Sequence, residues 1–146
     1  MKVYVTTDSE TGVAVEIHCR EVTGAVTRLE RYVQNYSEAI RGTADGETQV
    51  IALSDVLYVE SVDKRTYVYT KNKVFLTEKR LYELEEVLDT RDFFRCSKSM
   101  IVNLRKIIKL RPEVTRNIRA TLENEEVIVI SRRYAPALKK LIGLEE

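Results

Sequence analysis

Three cationic clusters stand where the chain reads as strand ends or turns: Lys64-Arg65, Arg95 with Ser97-Lys98, and Arg132-Arg133. Their chemistry is anion recognition. An arginine fork holds a phosphate or a guanine edge through two parallel bonds, whereas lysine and serine take phosphate oxygens singly. Loop tips project furthest from a sheet, so three such tips could reach one ligand. Taken alone, each cluster is an ordinary solvated surface pair. A joint surface exists only if the fold brings all three to one side.

Catalytic residues are scarce by comparison. The single histidine, His18, is followed by Cys19 in an apparent strand, where neighbours point to opposite faces, a poor arrangement for a base and its nucleophile. Both are expected to pack structurally. The two cysteines, Cys19 and Cys96, suggest neither a disulfide framework nor a metal site, and the five glycines form no phosphate-binding loop. No enzyme, cofactor or small-molecule substrate is expected. Tyr67, Tyr69 and Phe75 could stack on the bases of a single strand, although core packing is the commoner use of such residues.

Net charge over the 146 residues is +1, yet its distribution is uneven. Residues 1–90 hold 11 Lys and Arg against 16 Asp and Glu; residues 91–144 hold 13 against 5. A basic C-terminal part is what a surface facing a polyanion requires. Within it, residues 93–111 alternate cations with apolar residues and contain no acid. There is no apolar run of about 18 residues and no signal-peptide pattern at the start, so the cytoplasm is the expected compartment.

The elements that must position these residues are mostly strands. Val3–Val5 and Val13–Cys19 read as two strands around an Asp8–Gly12 turn, followed by a helix capped by Thr23 with Val26, Leu29, Tyr32 and Val33 on one face. Ser37–Gly42 and Glu47–Leu53 form a hairpin over an Asp-Gly turn. Val56–Glu60, Thr66–Thr70 and Val74–Leu76 are further strands, with a polar tip at residues 61–65. Thr77 should cap a helix buried through Leu81, Leu84 and Leu88. Ser97 should cap a short helical turn whose free N–H groups suit a phosphate, before a strand from Ile107 that stops at Pro112. Asn117–Leu122 and Glu126–Ile130 are the last strands, and Pro136 opens a final helix ending at Gly143.

The segments Ser54-Asp55-Val56-Leu57-Tyr58-Val59-Glu60-Ser61, Leu81-Tyr82-Glu83-Leu84-Glu85, Phe93-Phe94-Arg95-Cys96-Ser97-Lys98-Ser99-Met100-Ile101-Val102-Asn103-Leu104 and Ile130-Ser131-Arg132-Arg133-Tyr134, with Leu138-Lys139, resemble the LytTR family. This is the bacterial DNA-binding domain of LytR- and AlgR-type response regulators. The resemblance runs from about Gln49 to Leu144. It implies a mainly β fold with short helices (α+β), made of small antiparallel sheets, whose loops enter successive major grooves of duplex DNA. Mapped onto this chain, the contacting loops hold Lys64 and Arg65, then Ser97 and Lys98 beside Arg95, then Arg132 and Arg133. Arg133 and Lys98 are expected to touch bases or the groove, Lys64, Arg65, Ser97 and Arg132 to set phosphate register, and Asn103 to be structural.

The expected organisation is a strand-helix-strand appendage over 1–48, a candidate dimerisation unit, and a LytTR-type domain over 49–146. The appendage is too short for the phosphoacceptor receiver that many relatives carry. The expectation is thus a stand-alone transcriptional regulator that binds double-stranded DNA as a homodimer, with a membrane-protein regulator as a further candidate partner. The alternatives are a protein-interaction module that serves a membrane sensor, or an RNA-binding β domain.

Overall fold

The computed structural model describes residues 1–8, 14–37, 40–88 and 91–143. A first helix, α1 (Gly24–Ser37), begins where expected: the Val26 N–H donates to Thr23 Oγ1 and the Thr27 N–H to the Thr23 carbonyl. The two strands expected before it are absent from residues 3–5 and 14–19, and the turn between them lies largely outside the described residues. Val3, Tyr4, Val5 and Val15 are exposed, so no apolar layer is there to hold a lone hairpin together. His18 and Cys19 are exposed too, not packed as expected; His18 Nε2 meets the Glu16 carboxylate at 3.2 Å.

Seven antiparallel strands follow in one sheet: β1 (Ile40–Ala44), β2 (Glu47–Ile51), β3 (Val56–Val62), β4 (Arg65–Thr70), β5 (Val74–Thr77), β6 (Phe93–Ser97) and β7 (Met100–Asn103), in the order β2-β1-β5-β4-β3-β7-β6. The β1–β2 turn is Asp45-Gly46, both at positive φ, as a two-residue hairpin requires. β1 also pairs with β5 through Thr43 and Leu76, so the division expected at 48/49 runs through a hairpin of this sheet. Gly42 permits that approach: a Cβ there would lie 2.6 Å from the Cβ of Phe75.

The sheet has two covered faces. On one, Val56, Val59, Val68, Phe75, Phe93 and Ile101 pack against Leu81 and Leu84 of the short helix α2 (Leu81–Val87) and against Leu88 at its C-cap. On the other, Leu57, Tyr58, Cys96 and Val102 meet Ile118, Ala120, Leu122, Ile128 and Ile130 of a second sheet, and Ala135 and Leu138 of α3 (Ala135–Leu141). That second sheet holds β8 (Ile107–Pro112), β9 (Ile118–Leu122) and β10 (Val127–Ile130), in the order β10-β9-β8. A bulge between Val56 and Tyr58 sends Leu57 and Tyr58 to one face while Val56 and Val59 stay on the other.

Two local expectations are overturned. Thr77 caps no helix; it is buried in β5 opposite Thr66, and α2 starts at Leu81, where the Glu83 carboxylate accepts the Arg80 N–H. Ser97 opens no helical turn either. Residues 93–103 form the β6–β7 hairpin, because Ile101 and Val102 bury against opposite faces, which strand alternation allows and a single helix face does not. Asn103 is structural as expected: its Nδ2 donates to the Val56 carbonyl at 2.9 Å, and its Oδ1 accepts the Arg105 N–H.

Candidate nucleic-acid interface

The first cationic tip is the β3–β4 turn. Val62 pairs with Arg65, leaving Asp63 and Lys64 as a two-residue loop with φ of 50° and 67°. Lysine rarely adopts that left-handed conformation, where Gly or Asn is usual. Arg80 braces the loop from outside, donating through Nη1 to the Lys64 carbonyl at 3.2 Å. Lys64 and Arg65 are both exposed.

The second tip is the β6–β7 turn, where Ser97 pairs with Met100 around Lys98 and Ser99. Ser97 Oγ accepts the Ser99 N–H, so its hydroxyl stabilises a tight turn. Arg95 lies beneath. Its Nε donates to the Ser97 carbonyl at 2.7 Å, Nη1 to Glu85, and Nη2 to the Lys98 carbonyl. Each of its three nitrogens is engaged within the protein, while Lys98 projects outward and is exposed.

The third tip joins β10 to α3. Arg132 and Arg133 are exposed; the Arg132 N–H donates to Asn117 Oδ1 at 2.8 Å, and the Arg133 guanidinium stands 5.7 Å from the Tyr134 ring centroid. Two backbone bonds lace the tips together. The Ser61 N–H, near the end of β3, donates to the Ser99 carbonyl at 2.8 Å, and the Ser131 N–H donates to the Cys96 carbonyl at 2.9 Å. All three tips therefore occupy one end of the molecule, although they come from two sheets.

Sequence reasoning missed the braces. Arg80, Glu85 and Asn117 act across 10 to 16 residues of chain, a span that no local pattern marks. It also could not separate engaged cations from available ones. Arg105 is bonded to Asp92 and Lys106 to Glu123. Among the described residues, no carboxylate meets Lys64, Arg65, Lys98, Arg132 or Arg133. Tyr67, Tyr69 and Phe75 make no common stacking platform: Phe75 packs on the α2 side, while Tyr69 stacks on Tyr58 on the other, with ring centroids 4.3 Å apart.

The LytTr DNA-binding domain profile matches residues 46–143. An uncharacterized HTH-type transcriptional regulator of Staphylococcus aureus strain bovine RF122 is 34% identical over 127 residues, covering 87% of this chain and 82% of its own. Another from strain NCTC 8325 is 33% identical over 138 residues, 93% of each chain. A solved LytTr DNA-binding domain, assigned to a methyl-accepting/DNA response regulator of Bacillus cereus, superposes with a TM-score of 0.70 at 28% identity, over 73% of this chain and 99% of that one. With the family profile covering residues 46–143, which hold all three tips, the chain belongs to the LytTr DNA-binding domain family.

Proposed function

We propose that the chain is a transcriptional regulator that binds duplex DNA through three loop tips entering successive major grooves. The observation that carries the reading is the lacing of three tips with available cations along one end of a rigid two-sheet scaffold. Family membership supports DNA as the ligand, and the names of the staphylococcal relatives support regulation. Loop insertion is favoured over helix insertion because, among the described residues, no helix follows another without intervening strands, as a helix-turn-helix would need.

In this reading Arg133 and Lys98 address base edges, and Lys64, Arg65, Ser97 and Arg132 hold phosphates. Arg95 is a positioning residue that shapes the Lys98 turn. The chain acts as a homodimer on paired sites, and the exposed apolar residues Val3, Tyr4, Val5 and Val15 are the surface proposed for self-association.

Selection of bound sequences from random duplex DNA, followed by a salt titration on the selected site, tests the function. Recovery of a defined motif with affinity falling steeply as salt rises is expected. Failure to enrich any motif, or a nearly flat salt dependence, would count against it.

A further inference from the structure

Resting on the duplex-binding reading above, we infer that the β8–β9 hairpin end is a fourth contact, a phosphate clamp formed by Arg111, Arg116 and Arg119 beside the third tip. Arg111 and Arg119 are direct cross-strand partners in the antiparallel register, and both are exposed. Like charges placed opposite each other on one sheet face repel, so the pair destabilises the hairpin unless an anion lies over it. The next residue across that row is Val129 on β10, which carries no charge to offset them.

Arg116 sits in the connecting turn at φ 71°, with its N–H donating to the Glu113 carbonyl, and is exposed. Glu113 is the acid of this turn, yet among the described residues no carboxylate pairs with any of the three guanidinium groups. Lys109 continues the same solvent-facing surface one row further along β8, opposite Thr121.

The position of this hairpin end matches the charge. Asn117, the last residue before β9, accepts the Arg132 N–H through its side chain, so the turn is fastened directly to the third tip. The row Arg111–Arg119 lies one step from the Pro112–Ile118–Ile130 row, which leads into the Ser131–Arg133 loop. A duplex engaged by Arg132 and Arg133 would pass its flanking backbone over these three arginines. Phosphate is the fitting ligand there, because two of the three arginines stand on an open sheet face, where they offer charge rather than reach into a groove.

The test compares the native chain with Arg116→Gly and with Arg111→Gln/Arg119→Gln on the selected duplex and on the same duplex trimmed at the end beyond the third tip. Glycine suits a φ of 71°, so the first variant keeps the fold; circular dichroism checks the second. The expected result is a loss on the order of tenfold when both sets are combined, with the salt dependence shallower by about 2 to 3 and the preferred sequence unchanged. Trimming should weaken the native chain but not the combined variant. Unchanged affinity and salt dependence in the variants, while the native chain binds its motif, would overturn the clamp and leave the proposed function standing. A change in sequence preference would overturn the phosphate role. A native chain that binds no duplex would overturn both readings.

Discussion

The Ser131 N–H donates to the Cys96 carbonyl at 2.9 Å, and this bond sets the Arg132–Arg133 loop of one sheet beside the Ser97–Lys98 turn of the other. Cys96 is fully buried between the sheets, so the bond is anchored in the core rather than in a mobile surface. The spacing of the tips is thus fixed by packing.

Lys64 stands at a left-handed position of a two-residue turn, where its Cβ is unfavourable. Lys64→Gly should raise stability by about 1 kcal/mol while weakening DNA binding. Urea denaturation and a binding titration on the same preparation check both signs. A variant that is less stable and binds equally well would show that the turn has been misread.

Arg133 and Lys64 are given different tasks, base reading against phosphate contact. Arg133→Ala should cost about 1–3 kcal/mol at the preferred site and relax its sequence preference, whereas Lys64→Ala should weaken all duplexes about equally. Competition among point-mutated sites measures this. The opposite pattern would exchange the roles.

Arg95 ties the second tip to Glu85 on α2 and to two carbonyls of its own turn. Arg95→Met should lower stability by about 1–2 kcal/mol, since charged hydrogen bonds at a half-buried site are lost. It should also weaken binding at temperatures where the variant is fully folded. Arg95→Lys should not rescue, because an ammonium cannot span three diverging acceptors. Full rescue by lysine would reduce Arg95 to a mere charge.

Between the sheets, Tyr58 Oη donates to Glu126 at 2.8 Å and Tyr69 Oη to Glu60 at 3.4 Å. Burial, then the bond to Glu126, holds the Tyr58 phenol above its usual range; burial, then the Glu60 charge, does the same to Tyr69. Burial also pushes the Cys96 thiol up to about 12, against the pull of Arg95. The folded chain thus keeps protons that the unfolded chain releases near pH 8.5 for a thiol and about 10 for a phenol. Their stabilisation is complete below those values and is lost as pH climbs from them towards the higher folded-state values. Unfolding midpoints should fall from about pH 9 upward, and Tyr58→Phe should flatten the part above about pH 10. A midpoint constant from pH 8 to 11 would contradict the burial of these groups.

Apart from β6 and β7, the sequence made the strands of residues 50–131 legible, and with them the three cationic clusters, because alternation, β-branched residues and turn chemistry are local signals. The mainly β class and the Thr23-capped helix followed from the same signals. What it hid depends on distant partners. Ile101 and Val102 look helical or extended with equal ease until both faces of the sheet are covered. Val3–Val5 alternates like a strand but has nothing to pair with in the described residues. Arg95 and Arg132 read as equivalent cations, and only the fold shows one bonded inward and the other exposed.

Guanine N7 methylation interference on the selected duplex tests the central claim most directly, since N7 lies in the major groove. Interference is predicted in separate patches about one helical turn, roughly 10 bp, apart, with Arg133→Ala erasing one patch and sparing the others. A single continuous patch, or no interference at a site that still binds, would contradict loop tips reaching into successive major grooves.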